Sequence, residues 1–183
     1  MVSINFASFP IIATERLVLR QIINDDVNDV FAFRSNKEAM QYISRPIAET
    51  TEDALKIITI MSDFYANEKG ISWGICFKDA NKVIGTIGYV HIDKDNFRAE
   101  IGYMLHPAYH RQSIMQEAIN PIIDFGFNTM QLHSIEANLH PDNIASKDIL
   151  LKNGFAQEAY FKENFYYEGQ FLDTVVFSLL KSK

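Results

Sequence analysis

Arg98 to Ala118 reads RAEIGYMLHPAYHRQSIMQEA, and within it the spacing of the apolar residues changes once. Up to Leu105 the residues Ala99, Ile101, Tyr103 and Leu105 alternate with Arg98, Glu100, Gly102 and Met104, which is the two-residue period of a strand. Pro107 then signals a turn. From about Gln112, Ile114, Met115, Ala118, Ile122 and Ile123 take the spacing of a helix face. A strand that feeds a short loop and then a helix presents unpaired backbone N–H groups and the positive end of the helix dipole, an arrangement suited to an anion.

Outward from this stretch the chain reads as alternating short elements. Residues 1 to about 13 read as a loosely held lead-in, and Arg16 to Ile22 as the first strand. Asn24 offers a helix cap, with Asp25 and Asp26 in the first turn and Val27, Val30, Phe31 and Phe33 on the apolar side. The run Glu38 to Ile43 adds a further turn or two before Pro46. Thr50 with Asp53 has capping-box spacing, and Leu55, Ile58, Met61 and Tyr65 continue a helix until Gly70.

Three strands follow, Ile71 to Lys78, Lys82 to His91 and Arg98 to Leu105, joined by turns short enough to imply an antiparallel meander. The helix from about Gln112 to Met130 contains Pro121, which removes a donor and crowds the Glu117 carbonyl, so a kink or an irregular first half is expected. His133, Ile135, Ala137 and Leu139 alternate as a strand, Asn143 opens another helix, and Gly154 ends it. Ala156 to Phe165 and Gln170 to Lys181 make a hairpin around Glu168-Gly169. The expected class is mixed α/β (α+β), with a largely antiparallel central sheet of about seven strands flanked by about four helices.

Composition bounds the partners. At 183 residues and 48% hydrophobic, the chain is expected to form one domain over residues 1–183. Lys and Arg total 17 against 23 Asp and Glu, and the resulting charge of −6 gives no reason to expect nucleic acid and mildly favours a cationic substrate. No apolar run reaches about 18 residues and no basic flank precedes the first apolar residues, so no membrane partner and a cytoplasmic location are expected. The single cysteine, Cys76, lies in a strand pattern and reads as a buried structural thiol. His91, His106, His110, His133 and His140 have no metal-ligand spacing, so no metal is expected. Tyr160, Phe161, Phe165, Tyr166, Tyr167 and Phe171 read first as core and hairpin packing; they could also line an acceptor pocket or a homodimer face.

Four segments resemble the acetyl-CoA-dependent GNAT acetyltransferases, and among them the subgroup that acetylates the N-termini of ribosomal proteins. His110-Arg111-Gln112-Ser113-Ile114-Met115 followed by Glu117-Ala118 falls in the frame of the family's phosphate loop, Arg/Gln-x-x-Gly-x-Gly/Ala and then Glu-Ala. It departs from that frame at His110, Ser113 and Met115, and at Arg111, where many members have glycine. Asn143-Ile-Ala-Ser146 with Leu151-Lys-Asn-Gly-Phe155 resembles the family's Asn-x-x-Ser helix ending in Lys-x-Gly-Phe. Tyr166 to Leu180 resembles the subgroup's closing hairpin, and Thr14-Glu-Arg-Leu-Val-Leu-Arg20 its first strand.

The resemblance implies an enzyme that moves an acetyl group from acetyl-CoA to a primary amine, most like the N-terminal α-amino group of a protein. A small-amine acceptor such as a polyamine, an amino acid or an aminoglycoside is the first alternative, and a non-catalytic acyl-CoA-binding module the second. Such a transfer needs a base for the amine, a donor for the oxyanion and a proton or hydrogen bond for the thiolate. Glu100 is implied as the base, against the competing reading of a solvated or salt-bridged strand carboxylate, such as one paired with Arg98. Backbone N–H groups near Met104 and Leu105 are implied as oxyanion donors, because the family parts this strand from its neighbour beside the pantetheine arm.

Many relatives place a tyrosine seven residues after the helix Asn, where this chain has Leu150. The resemblance to the ribosomal-protein subgroup, which has a serine at this place, implies Ser146 as the group facing the thiolate, against a first-turn capping serine. Asn143 is implied to cap its helix and touch the cofactor arm. The N–H groups of Ser113, Ile114 and Met115 are expected at the pyrophosphate, with Arg111 adding a charged contact and Ser113 at an ordinary φ.

Overall fold

The structure, a computed structural model, describes residues 2, 6 and 8–181. Its centre is one sheet of eight strands in the order β1-β2-β3-β4-β5-β6-β8-β7. In chain order these are β1 (Ile12–Ala13), β2 (Leu17–Gln21), β3 (Ile71–Phe77), β4 (Gly85–Asp93), β5 (Arg98–Leu105), β6 (Ser134–Leu139), β7 (Ala156–Tyr167) and β8 (Gln170–Leu180). Every neighbouring pair is antiparallel except β5 with β6.

The helices are α1 (Val27–Arg34), α2 (Lys37–Met40), α3 (Thr51–Ala66), α4 (Ile114–Asp124) and α5 (Ile144–Lys152). Period-two alternation divides the strand side chains between two cores. One joins Leu17, Leu19, Trp73, Ile87, Ile101 and Phe177 to the apolar face of α4. The other joins Ile22, Cys76, Val83 and Met104 to α1–α3 through Val30, Phe33 and Ile58. Cys76 is buried as expected, and burial raises its thiol pKa. Among the described residues, no helix is long and apolar enough to cross a membrane.

Several expectations change. The described part of the lead-in is held in place: Ile12 and Ala13 pair with β2, the Trp73 indole donates to the Pro10 carbonyl at 2.7 Å, and the Phe9 ring packs edge-on against Tyr65 and Trp73. The remaining lead-in positions, 1, 3–5 and 7, lie outside the described residues. Asn24 does not cap α1. A 3-10 turn over Asn24–Asp26 precedes it, and the Asp26 carboxylate accepts from the Ile23 amide and the Arg20 guanidinium. β4 starts three residues late because the Asp29 carboxylate takes the Val83 amide at 2.9 Å. The Thr50–Asp53 capping box is present.

The irregularity near Pro121 falls after it: α4 is regular over Ile114–Asp124 and runs into a π-turn over Phe125–Thr129. The Tyr89 hydroxyl supplies the reason. It donates to the Ile122 carbonyl at 2.7 Å while the Gly126 amide faces the hydroxyl oxygen itself, so a side chain is wedged into the helix ladder. The aromatic hairpin is also not core. Glu168 (φ 46°) and Gly169 (φ 83°) form the expected tight turn, but Tyr160, Phe161, Phe165, Tyr166 and Phe171 are exposed.

Candidate active site

β5 and β6 run together only briefly. Arg98, Ala99 and Glu100 pair with Ser134, Ile135 and Glu136, and beyond that point the two strands have no common register. The ion pair from Arg98 to Glu136 closes the paired end. The competing reading of Glu100 as Arg98's partner is thus answered, since Arg98 is held by Glu136. Past Glu100 the backbone of β5 faces an open wedge. The His106 amide donates to the carbonyl of Ile84, the residue just before β4, so by antiparallel alternation Met104 also points its amide at β4, whereas Tyr103 and Leu105 point theirs into the wedge. Met104 is therefore corrected as an amide donor; Leu105 keeps that position.

The wedge opens into a cleft of about 450 Å³ whose walls include Glu100, Tyr103, Asn138, Asn143, Ser146 and Arg34. Glu100 is half-buried, and burial raises its carboxyl pKa; Glu136 pushes the same way, while Asn138, His91 and Arg45 oppose it. Tyr103 was read from the sequence only as a strand residue, yet its phenol stands in the wedge at 3.4 Å from the Ser146 carbonyl, beside the Ser146 side chain. Burial pushes its pKa up to about 12, so it is a proton donor at neutral pH. Leu150, where relatives carry the helix tyrosine, is fully buried. Asn143 caps α5 by accepting from the Ser146 amide at 3.1 Å. A tyrosine two residues before the end of the strand that enters the loop was the available signal for Tyr103.

At the far end of β5 the chain turns through a 3-10 turn, Pro107–Tyr109, into the loop. The His110 ring lies 3.1 Å from the Leu105 carbonyl, tying the loop back to β5. Arg111 (φ 59°) and Ser113 (φ 57°) are both left-handed. This corrects the expectation of an ordinary φ at Ser113: the chain adopts the backbone that glycine favours without the glycine, at a cost of about 1–3 kcal/mol per residue. Alternating hands of this kind turn successive amides inward as an anion-binding concavity.

The first backbone bond of α4 runs from Glu117 N to Ser113 O, which leaves the amides of Ser113, Ile114 and Met115 ahead of the ladder. The Ile114 and Met115 side chains are buried, and Arg111, Gln112 and Ser113 are exposed. Glu117 serves the loop from behind. Its carboxylate accepts from Thr14 Oγ1 (2.5 Å), Arg16 N (2.8 Å) and Arg16 Nε (2.6 Å), while Arg16 Nη2 donates to the Gln112 carbonyl (3.1 Å). The Thr14-x-Arg16 and Glu117 motifs are two halves of one clamp. These residues fit a pyrophosphate: amides converge at a helix N-terminus, and the parted strands lead from them to Glu100.

A sheet parted in this way, with an anion loop at one end of the opening and a carboxylate at the other, is the architecture of the GNAT acetyltransferases. Residues 16–156 match the Acetyltransferase (GNAT) domain family, and the chain belongs to it as an N-acetyltransferase. YoaA, an uncharacterized N-acetyltransferase of Bacillus subtilis (strain 168), is 37% identical over 175 residues, covering 96% of this chain and 99% of that protein. The [ribosomal protein uS5]-alanine N-acetyltransferase of Escherichia coli (strain K12) is 27% identical over 121 residues, 66% of this chain and 62% of that protein. The solved structure of RimL, a ribosomal L7/L12 α-N-protein acetyltransferase in complex with coenzyme A, shares the fold at a TM-score of 0.84 and 20% identity, over 93% of this chain and 98% of that one.

Proposed function

We propose that the chain works as one acetyltransferase domain that binds acetyl-CoA as co-substrate and acetylates the α-amino group at a protein N-terminus. The observation that carries this reading is the parting of β5 from β6 directly after Glu100, between the left-handed loop and an open cleft. The donor's pyrophosphate is assigned to the amides of Ser113, Ile114 and Met115, with Arg111 beside them, and its arm to the wedge past Leu105 and Asn143. Bound there, it supplies an activated acetyl group.

The protein's own groups then divide the work. Glu100, with its raised pKa, accepts the proton that the acceptor ammonium must lose before it can attack. The Leu105 amide donates to the carbonyl oxygen as charge gathers on it. Tyr103, protonated and next to Ser146, donates to the departing sulfur, and Ser146 orients that phenol. The names of the uS5-alanine and L7/L12 acetyltransferases support a protein N-terminus as acceptor.

Incubation with acetyl-CoA and a panel of peptides differing in the first residue, with spermidine and an aminoglycoside as small amines, tests the assignment by mass spectrometry. A mass gain of one acetyl group confined to peptide α-amines is the expected result. Faster acetylation of the small amines would move the acceptor to that class.

A further inference from the structure

The formal charge of −6 favours a cationic acceptor, but the charges facing the cleft do not. Arg34, the last residue of α1, lines the cleft and is 9% exposed. Its Nη1 lies 3.7 Å from the Met104 sulfur, a weak acceptor, and its buried Nε has no hydrogen-bond partner among the described residues. Among the described residues it enters no ion pair. The negative end of α1 offsets part of the charge, but it supplies no counter-ion. A buried, unpaired guanidinium is one of the costlier arrangements a fold can keep.

Arg45 lines the same cleft and, among the described residues, enters no ion pair; its charge is felt both at Arg34 and at Glu100. Two guanidinium groups facing one space repel unless an anion lies between them. The acidic groups nearby are occupied: Asp173 accepts from the Tyr160 hydroxyl and the Glu163 amide, and Glu100 is hydrogen-bonded by Asn138. Glu100, Gly102 and Met104 share one face of β5, with Gly102 adding no side chain between the carboxylate at one end and Arg34, over Met104, at the other.

We propose that the acceptor is an amine bearing a carboxylate of its own, and that Arg34 and Arg45 bind this carboxylate while Glu100 faces the amine. This rests on the cleft being the acceptor site of the transferase. Such a carboxylate belongs either to an acidic side chain close behind a peptide N-terminus or to a free amino acid.

Two matched probe pairs, with acetyl-CoA as donor, test the proposal and separate the sources. The first is Ala-Glu-Ala-Ala-amide against Ala-Gln-Ala-Ala-amide, and the second is alanine against alaninamide. In the pair of the true source the acid should exceed its neutral partner in kcat/KM by at least about tenfold, chiefly through KM. Arg34→Met should reduce that preference about tenfold, and Arg45→Gln should reduce it less. Arg34→Met should also hold or raise Tm, because an apolar chain of similar length replaces an unpaired buried charge. A purely structural Arg34 would instead lower Tm and slow both members alike.

Equal slowing of both members in both pairs overturns the carboxylate site and leaves the transferase reading intact. Absence of any acetyl-CoA thermal shift strikes at that reading instead. If no probe turns over, titration of N-acetyl-Ala-Glu and N-acetylalanine into the CoA-loaded protein decides. Binding to the parent that is lost in Arg34→Met supports the site, and equal or absent binding overturns it.

Discussion

Ser113 and Arg111 hold left-handed backbone with full side chains, and the loop keeps its shape because Arg16 pins the Gln112 carbonyl and His110 is tied to Leu105. Ser113→Gly should therefore stabilise the fold by about 1 kcal/mol, the strain relieved less the freedom gained by the unfolded chain. Since the backbone already has the required form, CoA affinity should change less than about twofold. Calorimetric Tm and a CoA titration check both halves, and a large gain in affinity would mean that the serine distorts the loop. Tyr103 makes a second residue-scale claim. Its phenol is held in the protonated form beside Ser146, so Tyr103→Phe should lower kcat by about 10²-fold with little change in acetyl-CoA binding. A loss confined to KM would assign the hydroxyl to substrate binding.

Between α4 and the π-turn the decisive contact comes from a different element. A Cβ built on Gly126 would lie 2.0 Å from the Tyr89 hydroxyl, so Gly126→Ala should cost about 1–3 kcal/mol by overpacking. In a Tyr89→Phe background the same change should cost clearly less, and a denaturant double-mutant cycle measures the difference. Additive losses would show that the phenol is not what opens the helix.

The same contact explains what could be read in advance. β5 and α4 were legible because their signal is local: alternation through Leu105, then helical spacing from Ile114. The π-turn was not, because its cause lies 33 residues away in β4. The parting of β5 from β6 was within reach only through the family resemblance, because pairing register is settled between strands rather than within either one. Arg34 was legible and overlooked: with Val27, Val30 and Phe31 it completes an i, i+3, i+4, i+7 stripe, which announces a buried cation. The exposed aromatic hairpin misled because aromatic content alone does not distinguish a core from a surface.

At the scale of the molecule, the sheet is two antiparallel units joined by three residues of parallel pairing and the Arg98–Glu136 ion pair. The cleft is the space this short joint leaves. The Glu117 clamp fixes the other end, linking α4 to the start of β2. Burial raises the Glu117 carboxyl, but the Thr14 hydroxyl and the Arg16 amide and guanidinium outweigh it, so the net shift is downward. Its contribution is therefore present above the ordinary value of 4.5 and is lost as pH falls through the depressed folded value. Glu117→Gln should weaken CoA binding about tenfold at neutral pH, and its stability deficit should vanish in acid. A deficit that persists unchanged to low pH would show that packing, not charge, holds the clamp.

The central claim is that Glu100 takes the acceptor's proton at the point where the strands part. Its raised pKa means that the base is available only above a midpoint higher than the ordinary 4.5, so the parent rate should fall in acid as Glu100 protonates. The most direct measurement is the pH profile of kcat/KM for the parent and Glu100→Gln, with acetyl-CoA affinity measured alongside. The variant should bind acetyl-CoA as the parent does, run about 10²- to 10⁴-fold slower near neutrality, and recover part of the deficit at alkaline pH, where the amine is already deprotonated. A deficit constant across that range, or a loss of acetyl-CoA binding, would contradict it.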